Sequence, residues 1–129
     1  MQPHVTSLDH LVLTVAEFDR TITFYRDVLG MELVTFGAPP RYALRFGVQK
    51  INLHLAGQEL EPKERAPGPG TADLCFLTDT SLTDWQAHLT RQGIPVEDGP
   101  VPRTGAAGPI MSLYLRDPDG NLIEISQPA

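Results

Sequence analysis

Residues 115–125 read LRDPDGNLIEI, and the reading of this stretch decides the fold. Its middle, Asp117-Pro118-Asp119-Gly120-Asn121, is a run of turn formers. Proline presets φ at the second position of a turn, and glycine and asparagine tolerate positive φ. Leu113-Tyr114-Leu115 lies on one side of the run and Leu122-Ile123-Glu124-Ile125 on the other. Two apolar runs around such a turn are expected to form a β-hairpin. Glu124 stands inside the second strand, where an apolar residue is the default. It is either a solvated, outward-facing carboxylate, as charged side chains usually are, or one that meets a partner such as a cation.

Working back from the hairpin, residues 100–109 (PVPRTGAAGP) read as a loop of small residues around Arg103, and residues 94–96 as a short strand. Leu82, Trp85 and Leu89 form a helical apolar stripe. Ser81 and Asp84 resemble a capping box before it, and Gly93 ends it. Residues 72–77 alternate as a strand, with Asp73, Cys75 and Leu77 on one face; a small buried thiol is the expectation for Cys75. Residues 57–70 (GQELEPKERAPGPG) are polar and rich in proline and glycine, which marks a linker or surface loop.

The first half repeats this order. Residues 8–15 (LDHLVLTV) read as a strand that carries His10, opposite in facing to Leu11, Leu13 and Val15. Residues 17–29 have Phe18, Ile22, Tyr25, Val28 and Leu29 at helical spacing, and Gly30 terminates them. Residues 31–36, 42–46 and 50–55 are strand-like, and His54 falls on the polar face of the last. Both halves thus read strand, helix, then about three strands. A shift of 63 residues sets His10 on Asp73 and Gly30 on Gly93; a shift of 70 sets His54 on Glu124. Four residues able to bind metal occupy the first and last strands of the two halves. If the halves pair about a pseudo-twofold axis, all four converge on one cavity. Alone, His10 is as well read as a hydrogen-bonded strand histidine.

Composition bounds the rest. The 129 residues are 41% hydrophobic and 20% charged, enough for a real core. A net charge of −6 with no basic stripe argues against nucleic acid or an anionic membrane as partner. One cysteine, Cys75, forms no internal disulfide, which fits a cytoplasmic location. No apolar run approaches a membrane span, and residues 1–10 lack the pattern of a signal peptide.

The motifs LDHLVLTV, FYRDVLGMEL and LYLRDPDGNLIEI resemble the vicinal-oxygen-chelate superfamily, which includes glyoxalase I, fosfomycin-resistance thiol transferases, extradiol dioxygenases, methylmalonyl-CoA epimerase and bleomycin-binding proteins. More narrowly, KINLHLAG, QELEPKE and residues 99–126 look like glyoxalase-domain-containing protein five-like members. The resemblance implies an α+β fold of two βαβββ modules, residues 6–56 and 71–127, forming an open, cup-shaped mixed sheet around a divalent metal. It implies His10, His54 and Glu124 as metal ligands, Glu124 also serving as a base. Asp73 takes the position where most metal-binding members carry a histidine, and binds either directly or through water. The mixed nitrogen and oxygen set suits zinc, nickel, manganese or iron.

The function expected is a glyoxalase-like lyase or isomerase on a small, anionic substrate with two neighbouring oxygens, with Arg103 among the substrate-binding residues and the chain a homodimer. A thiol transferase, a dioxygenase and a sequestering binding protein are the alternatives. Ring cleavage needs a further base histidine, and the only others are His4, before the first strand, and His88, in the second helix.

Overall fold

The protein is described here by a computed structural model covering residues 2–129. The chain divides into two compact units between Gly68 and Pro69. In the first unit, strand β1 (His10–Val15) leads into helix α1 (Phe18–Thr23), which passes directly into a π-helical turn (Phe24–Val28). Three strands follow: β2 (Glu32–Phe36), β3 (Arg41–Phe46) and β4 (Gln49–Leu55). They form a four-stranded sheet in the order β1-β4-β3-β2, with β1 parallel to β4 and the other pairs antiparallel.

Alternation divides this sheet into two faces. Leu13, Val15, Leu44, Ile51 and Leu53 share one face and are buried. Phe18 packs edge-on against Tyr42 of that same face, with ring centroids 5.0 Å apart, so the helix lies on it. The helix expected over residues 17–29 is present but widens at Phe24. The wider turn lets the adjacent Phe24 and Tyr25 both be buried along with Val28. Gly30 ends it at φ +76°.

The second unit repeats the order. Strand β5 (Asp73–Leu77), helix α2 (Leu82–Arg91), and strands β6 (Asp98–Gly105), β7 (Gly108–Arg116) and β8 (Leu122–Pro128) form the sheet β5-β8-β7-β6. Again the outer first strand is parallel to the last, β5 to β8. The Ser81 hydroxyl accepts from the Asp84 amide at 3.1 Å, the first half of the capping box. Both units are βαβββ modules, each with its own four-stranded mixed sheet.

Two expectations from sequence fail in the second unit. Residues 94–96 form no strand: the Ile94 amide bonds back to the Leu89 carbonyl at the helix end, and Pro95 has no amide to give. Residues 100–109 are not a loop either. They form most of β6, the turn at Ala106-Ala107 and the start of β7. Pro100 and Pro102 are tolerated because β6 is an edge strand. Its register shifts between Asp98 and Val101. There a Cβ on Gly99 would meet the Ser112 carbonyl at 2.3 Å, so only glycine lets the two backbones approach.

The β7–β8 hairpin is closed as its sequence implied. Asp117 Oδ1 accepts from the Asp119 and Asn121 amides, both at 2.9 Å. The Asn121 side chain donates to Asp117 Oδ2 at 2.7 Å, and its Oδ1 accepts from the Ala72 amide at 2.9 Å. Arg116 forks onto Glu97 at 2.9 and 3.1 Å, which holds that carboxyl below the usual range. Asn121 is fully buried, so truncating it removes the side-chain donor to Asp117 Oδ2 and orphans the Ala72 amide. Asn121→Ala should lose about 2–4 kcal/mol in denaturant unfolding, against less than about 0.5 kcal/mol for exposed Thr83→Ala in α2.

Candidate functional site

In the second unit the hairpin delivers Glu124 to the sheet face away from the apolar set. Register puts it between Cys75 of β5 and Tyr114 of β7. Two fully buried hydroxyls hold it: Ser112 Oγ donates to Oε2 at 2.5 Å, and Ser126 Oγ lies 3.3 Å from the same oxygen. The two serine oxygens are 2.7 Å apart, and the Cys75 sulfur is 3.3 Å from Ser126 Oγ. A carboxylate only accepts, and each hydroxyl has one proton. Ser112 spends its proton on Glu124, and the single Ser126 proton is shared between Glu124 Oε2 and the Ser112 oxygen. The result is one connected network that joins Cys75, Ser126, Ser112 and Glu124. Glu124 is therefore a held carboxylate, not a solvated one.

Cys75 is exposed, contrary to the buried thiol expected from its strand. Alternation places it beside Asp73 on the polar face of the outer strand β5. Partial desolvation and the nearby Glu124 and Asp73 charges still push its thiol up, against the opposing bond from Ser126.

A cavity of about 560 Å³ opens over this face, with Cys75, Arg103, Tyr114 and Glu124 among its lining. Arg103 Nε donates to the Tyr114 hydroxyl at 3.0 Å, and Nη1 donates to the Pro102 carbonyl at 2.9 Å. Asp98 lies 3.8 Å from Nη2. The arginine thus sits on a strand, where a loop was expected.

The first unit carries the two histidines expected as ligands. His10 opens β1, half exposed, with Nδ1 2.9 Å from Asp9. His54 is 7% exposed, and neither ring nitrogen has a hydrogen-bond partner. Thr14, its register neighbour, and Asn52, two residues before it, are also buried with orphaned oxygens. Such groups are rare and mark a missing partner. His10 pairs with Lys50 and His54 with Thr14, so the histidines stand four register steps apart, about 13 Å along the strands.

Register also corrects the internal match. Glu124 pairs with Cys75, two residues after Asp73; the residue so related to His10 is Asn52, which pairs with Val12. The shift is 72, and Ser126 is the counterpart of His54. Asn52 was missed because a two-residue slip keeps a side chain on the same face, so alternation cannot detect it. Matching each last strand to its parallel first strand would have found it.

The four expected metal-binding residues divide evenly, with His10 and His54 in the first unit and Asp73 and Glu124 in the second. Among the described residues no three His, Cys, Asp or Glu side chains are grouped as a metal ion requires.

Residues 7–125 match the Glyoxalase/Bleomycin resistance protein/Dioxygenase superfamily. The chain belongs to that superfamily. Among superfamily relatives, virulence protein STM3117 of Salmonella typhimurium is 55% identical over 98% of this chain and 88% of its own length. Its solved structure superposes with a TM-score of 0.95, at 54% identity over 98% of this chain and all of that one. The glyoxalase domain-containing protein RDO1 of Mycosarcoma maydis is 58% identical over 97% of this chain and 70% of its own. Metallothiol transferase FosB of Staphylococcus epidermidis is a more distant superfamily relative, 24% identical over 94% of this chain and 83% of its own.

Because both hydroxyls donate to Glu124 Oε2 at different distances and touch each other, the two serines are unequal and coupled. Ser112→Ala should lose about 1–2 kcal/mol in denaturant unfolding and Ser126→Ala less. The double variant should lose less than the sum, because each removal already breaks the Ser112–Ser126 contact. Strict additivity would show two independent contacts.

Proposed function

We propose that the chain is a metal-dependent enzyme of the glyoxalase type, a cytoplasmic homodimer. It acts as a lyase or isomerase on a small anionic substrate that carries two neighbouring oxygens. His54 carries this reading. A buried imidazole with both nitrogens unpartnered is unfavourable unless something supplies a partner. The donor types fit a divalent cation, with imidazole nitrogen and carboxylate oxygen suited to zinc, nickel, manganese or iron.

Glu124 would hold the ion with Asp73 as a further carboxylate, bound directly or through water, and His54 would supply an imidazole; His10 stands about 13 Å from His54 along the strands and would not share one ion with it. Bound there, the metal would supply Lewis-acid stabilisation to an anion formed on the substrate oxygens. Glu124 would take and return the proton. Both serine contacts fall on its Oε2, which fixes the carboxylate and leaves Oε1 for that work. Arg103, steadied by Tyr114, would receive the substrate's anionic group.

The relation to FosB favours thiol transfer as the second reading. It would use the same residues, with Glu124 taking the proton of a thiol whose sulfur bonds to a substrate carbon as a carbon–oxygen bond there opens. For a dioxygenase, the additional histidines are poorly placed: His88 lies in α2 against Trp85, with ring centroids 5.6 Å apart.

Elemental analysis of protein purified without added metal should find one divalent ion per chain. Titration of Glu124→Gln should show at least tenfold weaker binding, because the charge that offsets the cation is gone. Wild type and Glu124→Gln equally poor in metal would overturn the reading. Light scattering at micromolar concentration should give twice the chain mass of 14.2 kDa; a monomer mass alone would exclude the dimer.

A further inference from the structure

We propose that the cavity of the second unit selects a monoanionic amphiphile, a short alkyl or aryl body carrying one carboxylate or phosphonate beside its chelating oxygens. This names the substrate class of the site proposed above and rests on that reading.

The lining has two halves of different character. One is polar: Glu124, Cys75, Arg103 and Tyr114. The other is apolar: Leu77, Ala106, Ala107, Pro109, Ile110 and Pro128. Leu77 is 70% exposed, although it lines a recess. A leucine left open inside a cavity is apolar surface that a ligand can remove from water. The tip of the β6–β7 hairpin makes the room. A Cβ on Gly105 would meet the Gly108 carbonyl and the Ile110 Cγ2, each at 3.0 Å, so glycine there keeps the Ile110 wall in place. The turn residues Ala106 and Ala107 then project no more than a methyl group each.

Charge sets the other half of the preference. Among the described lining residues Arg103 is the only cationic side chain, and Glu124 is an anion facing the same space. The Arg103–Asp98 contact is long, at 3.8 Å between exposed side chains, and such contacts are weak. An arriving anion can displace it while Tyr114 and the Pro102 carbonyl keep the guanidinium in place. One anionic group is served. A second would face Glu124 unpaired, which disfavours peptide thiols that carry two carboxylates. A volume of about 560 Å³ suits a body of drug-fragment size.

The test is calorimetry with lactate, 2-hydroxybutanoate, 2-hydroxyhexanoate and 2-hydroxyoctanoate, with 1,2-octanediol and glutathione as comparisons. Each series is run on metal-supplied and on chelator-treated protein. Affinity should rise about fourfold per methylene, the equivalent of about 0.8 kcal/mol, until the wall is covered. Leu77→Asn should flatten that rise and leave lactate nearly unchanged. Leu77 is exposed at a strand end, so an unchanged melting temperature should accompany the loss. Ala107→Trp should exclude the longest members first. Arg103→Ala should erase the preference for 2-hydroxyoctanoate over 1,2-octanediol. A flat chain-length series, or glutathione bound more tightly than 2-hydroxyoctanoate, would overturn the proposal. A rise with chain length on protein that binds no metal would keep this proposal and remove the metal reading. Metal binding with a flat series would do the reverse.

Discussion

The bond network around Asp117 and Asn121 is the constraint on which the second unit depends. One turn ties three strands: it closes β7 onto β8, and through the Ala72 amide it fixes where β5 enters beside β8. Parallel pairing has no tight turn of its own to set register, so it needs such an anchor. Once Asp73 is set opposite Leu122, Cys75 falls opposite Glu124 and Leu77 opposite Ser126. The held carboxylate, the hydroxyls that hold it and the open leucine all follow from that alignment. Burial makes the anchor firm, because Asn121 has no water to replace a lost partner.

The two units solve the same packing problem with different chemistry on the free face. Each covers one side of its sheet with a helix and apolar strand residues. On the other side, the first unit buries Thr14, Asn52 and His54 without partners, while the second satisfies Glu124 internally through Ser112 and Ser126. An orphaned imidazole is a demand for a ligand. A carboxylate steadied by two hydroxyls is a group prepared to meet one. The counterpart of His54 in the second unit is Ser126, so the duplicated position carries an unsatisfied group in one unit and a supporting hydroxyl in the other.

The cavity owes its existence to an edge strand that looks unlike a strand. Prolines, glycines and alanines in residues 100–109 have low strand propensity, but an outer strand needs only one row of backbone bonds. The same small residues that make the stretch read as a loop leave the hairpin tip thin enough to border an open space. Arg103 gains a fixed place from this, because its strand position sets it beside Tyr114.

The sequence by itself determined the architecture. Turn residues at 117–121, helical stripes ending at Gly30 and Gly93, and alternation in the strands specify two βαβββ modules, since each signal is local and repeats. It also placed His10, His54, Asp73 and Glu124 on polar faces, because alternation assigns a face directly. Tertiary structure decided depth along each strand, and so decided that Asn52, not His54, is the counterpart of Glu124. It decided that Cys75 is exposed, that residues 98–105 pair as β6, and which hydroxyls hold Glu124. These outcomes depend on strand register and on neighbours far along the chain. A period of two residues carries no information about either.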